Sequence, residues 1–175
     1  SDISLSYDSS MDALTRGTQD GLAMAVNIGA MLVVLISFVA LGNMILGGIT
    51  GTETLTIESI LGFLFAPLAW LIGIPWEHAG LAGSLLGTKV VLNEVMAYVQ
   101  FAASADLFTE HSRLIMLYAL CGFANIGSLG ILIGGLLVLV PERKNEYLSI
   151  APKSVVCGTL VNLVTGAIVG LVSLV

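Results

Sequence analysis

Charge is what this sequence has least of. Only 10% of its 175 residues are Asp, Glu, Lys or Arg, and six basic side chains stand against twelve acidic ones, for a net charge of −6. With no basic patch to track a phosphate backbone, nucleic-acid binding is excluded. Cysteine is equally scarce. Cys121 and Cys157 each sit in an apolar run, so no zinc, haem or disulfide framework is available, and both read as small buried side chains. The opening residues do not read as a signal peptide, being polar, with Asp2, Asp8, Asp12, Arg16 and Asp20, and with no basic stretch ahead of an apolar core. This start at Ser1 leads to the expectation that the chain is a piece of something larger.

What is abundant is apolar surface: 57% of the residues are hydrophobic, and uncharged runs cover 21–52, 114–141 and 154–175. Such runs predict an all-α, multi-pass integral membrane protein, since a helix satisfies its own backbone in lipid. Residues 22–46 form a tilted scaffold helix preceded by the polar N-terminal segment, together 1–52. Asn27, Gly29 and Asn43, near its ends, read as interfacial solvation or helix packing. Gly42, Gly47, Gly48 and Gly51 are expected to end it in a flexible turn. Residues 53–75 contain Glu58, Pro67 and Trp70, with Trp76 just beyond, and read as a helix lying along the membrane interface and stopped by Pro75.

Residues 76–104 carry two apolar arms, 79–86 and 95–103, around a polar tip at 87–94. Each arm of about 10–12 residues covers roughly half of a ~30 Å hydrocarbon core, so the segment reads as a re-entrant helical hairpin. Its tip would bring Lys89, Asn93 and Glu94 to the midplane, where charged groups are costly and mark a functional site unless they merely pair with each other. The stretch from Gly80 to Lys89 has a superficial phosphate-loop look, but it lacks the Gly-Lys-Ser/Thr ending and no strand precedes it.

Asp106, Glu110, His111 and Arg113 form a polar connector, where His111 reads as solvated rather than as a metal ligand. Residues 113–140 are long enough to cross the bilayer, yet the centre reads Cys121-Gly122-Phe123-Ala124-Asn125-Ile126-Gly127-Ser128-Leu129-Gly130. Glycine weakens a helix interior by about 1 kcal/mol, and Asn and Ser compete for backbone hydrogen bonds, so two half-helices joined by unwound backbone are predicted. Unwound backbone at membrane depth must line a cavity or be buried in protein. A charged loop with Glu142, Arg143, Lys144, Glu146 and Lys153 follows, and residues 154–175 span once more, with Gly166 and Gly170 spaced for close helix packing. The loop cations predict an extracytoplasmic C-terminus. Residues 76–175 would form half of a transport domain.

The hairpin Gly87-Thr88-Lys89-x-x-x-Asn93-Glu94-x-x-Ala97-Tyr98 and the broken helix Tyr118-Ala119-Leu120-Cys121-Gly122-Phe123-Ala124-Asn125-Ile126-Gly127-Ser128-Leu129-Gly130 together resemble the concentrative nucleoside transporters. The likeness extends over nearly the whole chain and matches the C-terminal half of that family. It implies a sodium- or proton-coupled nucleoside symporter in the plasma membrane, or the inner membrane of a bacterium, assembled as a homotrimer from two inverted repeats. This chain would hold the second repeat and need the N-terminal half, which would carry the coupling-ion site. No other cofactor is implied. The family's substrate contacts fall on Glu94, Phe123, Asn125 and Ser128, with Lys89 and Asn93 supporting the hairpin tip. A carboxylate and an amide suit the vicinal hydroxyls of a ribose. Where the family commonly has Asn-Glu-Phe-Val-Ala, this chain has Asn93-Glu94-Val95-Met96-Ala97.

Two other functions compete. A non-transporting helix-packing or assembly subunit would use the polar midplane residues only to bond each other. A membrane-embedded enzyme is disfavoured, because the single midmembrane carboxylate has no paired carboxylate, activated nucleophile or metal cluster.

Overall fold

The computed structural model describes residues 8–52, 55–139 and 141–173. Asp2, the edge residues Thr54, Val140 and Val175, and the side chain of Asn27 lie outside the described residues. Within them the chain is all helical: α1 Ser10–Thr50, α2 Ile57–Leu71, α3 Trp76–Val91, α4 Glu94–Ser104, α5 Glu110–Ala119, α6 Ile126–Leu139 and α7 Lys144–Val172.

The polar opening is not separate from the first apolar run. Ser9 accepts a hydrogen bond from the Asp12 amide at 3.1 Å, and Asp12 pairs with Arg16 one turn on at 2.8 Å. A capped, ion-paired first turn extends the helix well ahead of its expected start. Gly42, Gly47 and Gly48 stay helical, and α1 ends only at Gly51, whose φ of 67° closes it with a left-handed cap. One such glycine suffices, so the expected flexible turn shrinks to a single residue.

Of the two readings of Asn43, interfacial solvation or helix packing, the contacts fit packing: it fastens α2 to α1. Its Oδ1 accepts from the Ile57 amide at 2.8 Å and its Nδ2 donates to Glu58 Oε2 at 2.9 Å. A reciprocal capping box between Thr56 and Ser59 then starts α2. After α2 the chain turns at Gly73, with φ of 107°, and α3 leaves at 118° to α2. The two helices touch backbone to backbone. A Cβ built on Gly83 would lie 2.5 Å from the Gly62 carbonyl oxygen and 2.7 Å from the Ala66 amide nitrogen. Gly62, Ala66 and Ala69 of α2, spaced at four and three residues, thus meet Ala79, Ala82 and Gly83 of α3 along a seam of small residues. This seam opens into the core formed with Leu85, Leu86, Phe101, Phe108, Ile115, Met116 and Leu120.

The polar tip is narrower than the eight residues expected. α3 continues through Lys89 to Val91, its ladder closed by the Leu92 amide on the Thr88 carbonyl at 2.8 Å. Only Leu92 and Asn93 separate it from α4, because Asn93 is the first residue whose side chain offers the backbone another partner. The break in the later helix is likewise shifted and shortened, to 120–125, with Ile126 already helical. The expected charged loop is helical too. A short turn, Pro141–Arg143, leads into α7, which starts at Lys144 and carries Pro152 inside. Arg143 reaches forward to Glu146, giving those polar first turns an ion pair.

Along α7, Gly166 abuts Ala119 and the Ile115 carbonyl, and Gly170 abuts the Ile115 side chain, so α5 and α7 lie in close contact. Among the described residues two helices are long and apolar enough to cross a membrane, Leu32–Thr50 of α1 and α7, or three if α2 and α3 are counted as one bent span. Cys121 and Cys157 are both exposed rather than buried. For Cys157, on α7, the inference from apolar surroundings to burial holds in water, whereas in lipid an apolar face carries no such penalty for exposure; Cys121 lies instead in the break between α5 and α6.

Candidate functional site

Two interrupted helices each restart on an asparagine. The Asn93 side-chain oxygen accepts from the Met96 amide at 3.0 Å, capping α4, and the Asn125 side-chain oxygen accepts from the Ser128 amide at 2.6 Å, capping α6. Both residues are buried. The caps aim two positive helix ends into the same space.

Glu94 stands at the first position of α4 and accepts from Asn125 Nδ2 at 2.9 Å. The carboxylate therefore joins the two helix starts, and only one of its roughly four acceptor positions is taken by this bond. Asn93, Glu94, Phe123, Asn125 and Ser128 all line one cavity of about 390 Å³, walled by Leu32, Leu92, Val95, Gly127, Ile131 and Leu132. Phe123 is 78% exposed. Such a cavity offers a carboxylate, a hydroxyl and an aromatic face to a neutral ligand rich in hydroxyl groups. The walls were not readable as lining, because apolar residues in a spanning helix look alike on every face.

Lys89 lies elsewhere. It is only 1% exposed, and its Nζ donates to the Ala119 carbonyl at 3.3 Å. Among the described residues the alternative to a functional tip, a Lys89–Glu94 ion pair, does not form. The ammonium instead serves the end of α5, where four carbonyls lose their helical partners. All four are met: Met116 by the Leu120 amide, Tyr118 by the Cys121 amide, Leu117 by the Tyr98 hydroxyl at 2.6 Å, and Ala119 by Lys89. Sequence reasoning did not assign Tyr98 this task. Its spacing of four from Glu94 on a short helix, and the need of a half-buried phenol for a partner, were the available signals.

Residues 2–170 match the model of the family described as Na+ dependent nucleoside transporter C-terminus. The uncharacterized transporter YutK of Bacillus subtilis is 43% identical over 92% of this chain and 41% of its own length. Nucleoside permease NupC of Helicobacter pylori is 39% identical over 97% of this chain and 43% of its own. Human solute carrier family 28 member 3 is 31% identical over 93% and 26%. Among solved structures, CNTnw in an inward-facing substrate-bound state superposes with a TM-score of 0.83 at 40% identity, over 95% of this chain and 42% of that one. These relatives are transporters by name and not enzymes, and the chain spans less than half of their length. With the match running over residues 2–170, the chain belongs to the Na+ dependent nucleoside transporter family, in the part described as its C-terminus.

Proposed function

We propose that this chain is the C-terminal half of a cation-coupled nucleoside symporter and that Glu94, Asn125, Ser128 and Phe123 hold the nucleoside. The observation that carries the reading is the Glu94–Asn125 bond across two helix N-termini at the mouth of a cavity that Phe123 and Ser128 share. A ribose diol would take the open acceptor positions of Glu94 and the Ser128 hydroxyl, while the Phe123 ring packs on the apolar part of the ligand. Lys89 holds the end of α5 and Asn93 the start of α4.

In this reading α1, with its leading polar turns, is the scaffold helix. α2 lies along the interface, and α3 and α4 form the re-entrant hairpin. α5 and α6 are one discontinuous crossing, and α7 is the last span. The segments from 76 onward then form half of the moving transport unit. The remaining contacts belong to an N-terminal repeat, and the complete protein is a trimer in the plasma membrane. The coupling ion is sodium or a proton, held by that other repeat; the family description names sodium. The assembly-subunit reading is not favoured, since the relatives are permeases and transporters.

The test is uptake of a radiolabelled nucleoside by cells expressing the full-length protein, with competitors. Saturable, ion-gradient-dependent uptake is expected, blocked by nucleosides and blocked poorly by their 2′,3′-dideoxy analogues. Absence of uptake would remove the transport function. Equal competition by the dideoxy compounds would remove the ribose assignment.

A further inference from the structure

α7 presents Gly158, Asn162, Gly166 and Gly170, each four residues apart, toward the preceding broken helix. The register is antiparallel: a Cβ on Gly158 would meet Ala124, one on Gly166 would meet Ala119, and one on Gly170 would meet Ile115. Asn162 is the single polar member, and it falls at the level where the helix is unwound. Gly122 lies directly against it. A Cβ there would come 2.4 Å from Asn162 Oδ1 and 2.6 Å from its Nδ2, which is impossible without displacement.

The unwound backbone beside this amide is under-satisfied. Among the described residues no hydrogen bond reaches the amides of Gly122, Phe123 or Ala124, whereas the flanking Cys121 and Asn125 amides are bonded to Tyr118 and Phe123 carbonyls. Asn162 itself has no hydrogen-bond partner among the described residues, and Thr159, three residues earlier on the same helix, has a buried hydroxyl without one. Free donors and acceptors lie side by side here, and exchanging bonds would satisfy both. A small shift of the segment would bring them together, with Oδ1 accepting from a backbone amide and Nδ2 donating to a backbone carbonyl.

We propose that Asn162 is a positioning residue: it holds the unwound segment on α7, with Gly122 as the required contact, and so sets where Asn125 meets Glu94. The inference builds on the nucleoside-site reading for its effect on transport, but the positioning itself is measurable without a nucleoside. Cys121 is exposed and adjacent to Gly122, and its reaction with a maleimide reports the segment directly. The experiment uses the full-length protein with its other cysteines, including Cys157, replaced. Asn162→Ala and, separately, Gly122→Ala are compared with the parent for Cys121 labelling rate without nucleoside, nucleoside KM and maximal uptake, and melting temperature.

Both variants are expected to label faster by about tenfold and to raise KM by a similar factor, the scale of the one hydrogen bond that Asn162 is proposed to make to the segment. The double variant, which relieves the steric clash, is expected to label as fast as Asn162→Ala. Labelling rates like the parent's in either folded variant overturn the proposal, and so does a double variant restored to the parent's rate, which would reduce Asn162 to packing. Absence of nucleoside uptake in the parent would instead overturn the transport reading and leave the labelling result to decide the role of Asn162.

Discussion

Asn125 Nδ2 donates to Glu94 Oε2 at 2.9 Å, joining the first residue of α4 to the residue that caps α6. The same Asn125 uses its oxygen for the Ser128 amide, so one side chain both starts a helix and orients a carboxylate. Cap and crosslink are therefore coupled: the geometry of the cavity depends on the helix starts, and the starts depend on residues facing the cavity.

That double duty can be separated. Asn125→Asp keeps an oxygen for the Ser128 amide but replaces the donor to Glu94 with a second carboxylate. The fold is expected to persist while nucleoside uptake falls by about a hundredfold, as when a charge-assisted hydrogen bond turns repulsive. Asn125→Ala should also lose the cap, lowering stability by about 1 kcal/mol. Glu94→Gln keeps shape and loses charge, and about tenfold weaker uptake is expected. Uptake at equal surface expression, with melting temperature in detergent, checks all three. Parental uptake in Asn125→Asp would show that the crosslink has no part in binding.

Lys89 is buried beside the α5 terminus, and its replacement should act on stability first. Lys89→Met leaves the Ala119 carbonyl without a donor, at a cost of about 1–3 kcal/mol. Lys89→Gln retains an N–H and should recover part of it. A Met variant as stable as the parent would mean that the Ala119 carbonyl finds another partner.

Helix interruptions were legible because glycine, asparagine and a charge in an apolar run conflict with continuous helix. The residues Asn93, Glu94, Asn125 and Ser128 stood out for that reason, and their meeting in one cavity is the structural counterpart. Exact breaks were not legible. A helix continues until a side chain offers its backbone a better partner, which moved the tip to Leu92 and Asn93 and the later break to 120–125. Pairings across the fold were harder still. Asn43 with Glu58, Lys89 with Ala119, and Asn162 against Gly122 each depend on how helices pack. Hydropathy carries no record of which face meets which, and in lipid even burial stops following from apolarity.

The α1–α2 joint yields a third prediction. Asn43 serves both the Ile57 amide and the Glu58 carboxylate, so Asn43→Ala removes two bonds at once. Asn43→Asp keeps the acceptor for Ile57 but faces Glu58 with like charge. Both should lower the melting temperature, Ala by about 1–3 kcal/mol of stability. Glu58→Gln, which can still accept from Asn43, should be nearly silent. If Asn43→Ala melts with the parent, the joint is held by apolar packing alone.

The seam between α2 and α3 gives the sharpest contrast, because two glycines three residues apart have opposite surroundings. A Cβ on Gly83 would lie within 2.7 Å of two backbone atoms of α2, neither of which can turn aside. A Cβ on Gly80 would meet nothing within 4 Å. Gly83→Ala must therefore push the helices apart, at about 1–3 kcal/mol or more. Gly80→Ala should be neutral or stabilising by roughly 0.5–1 kcal/mol, since alanine loses less backbone entropy in a helix. Melting temperatures of the two variants, purified in the same detergent, decide the matter. If Gly83→Ala were as stable as Gly80→Ala, the close approach of the Gly62 carbonyl would not exist in the protein, and α3 would be free of the α2 helix that anchors it.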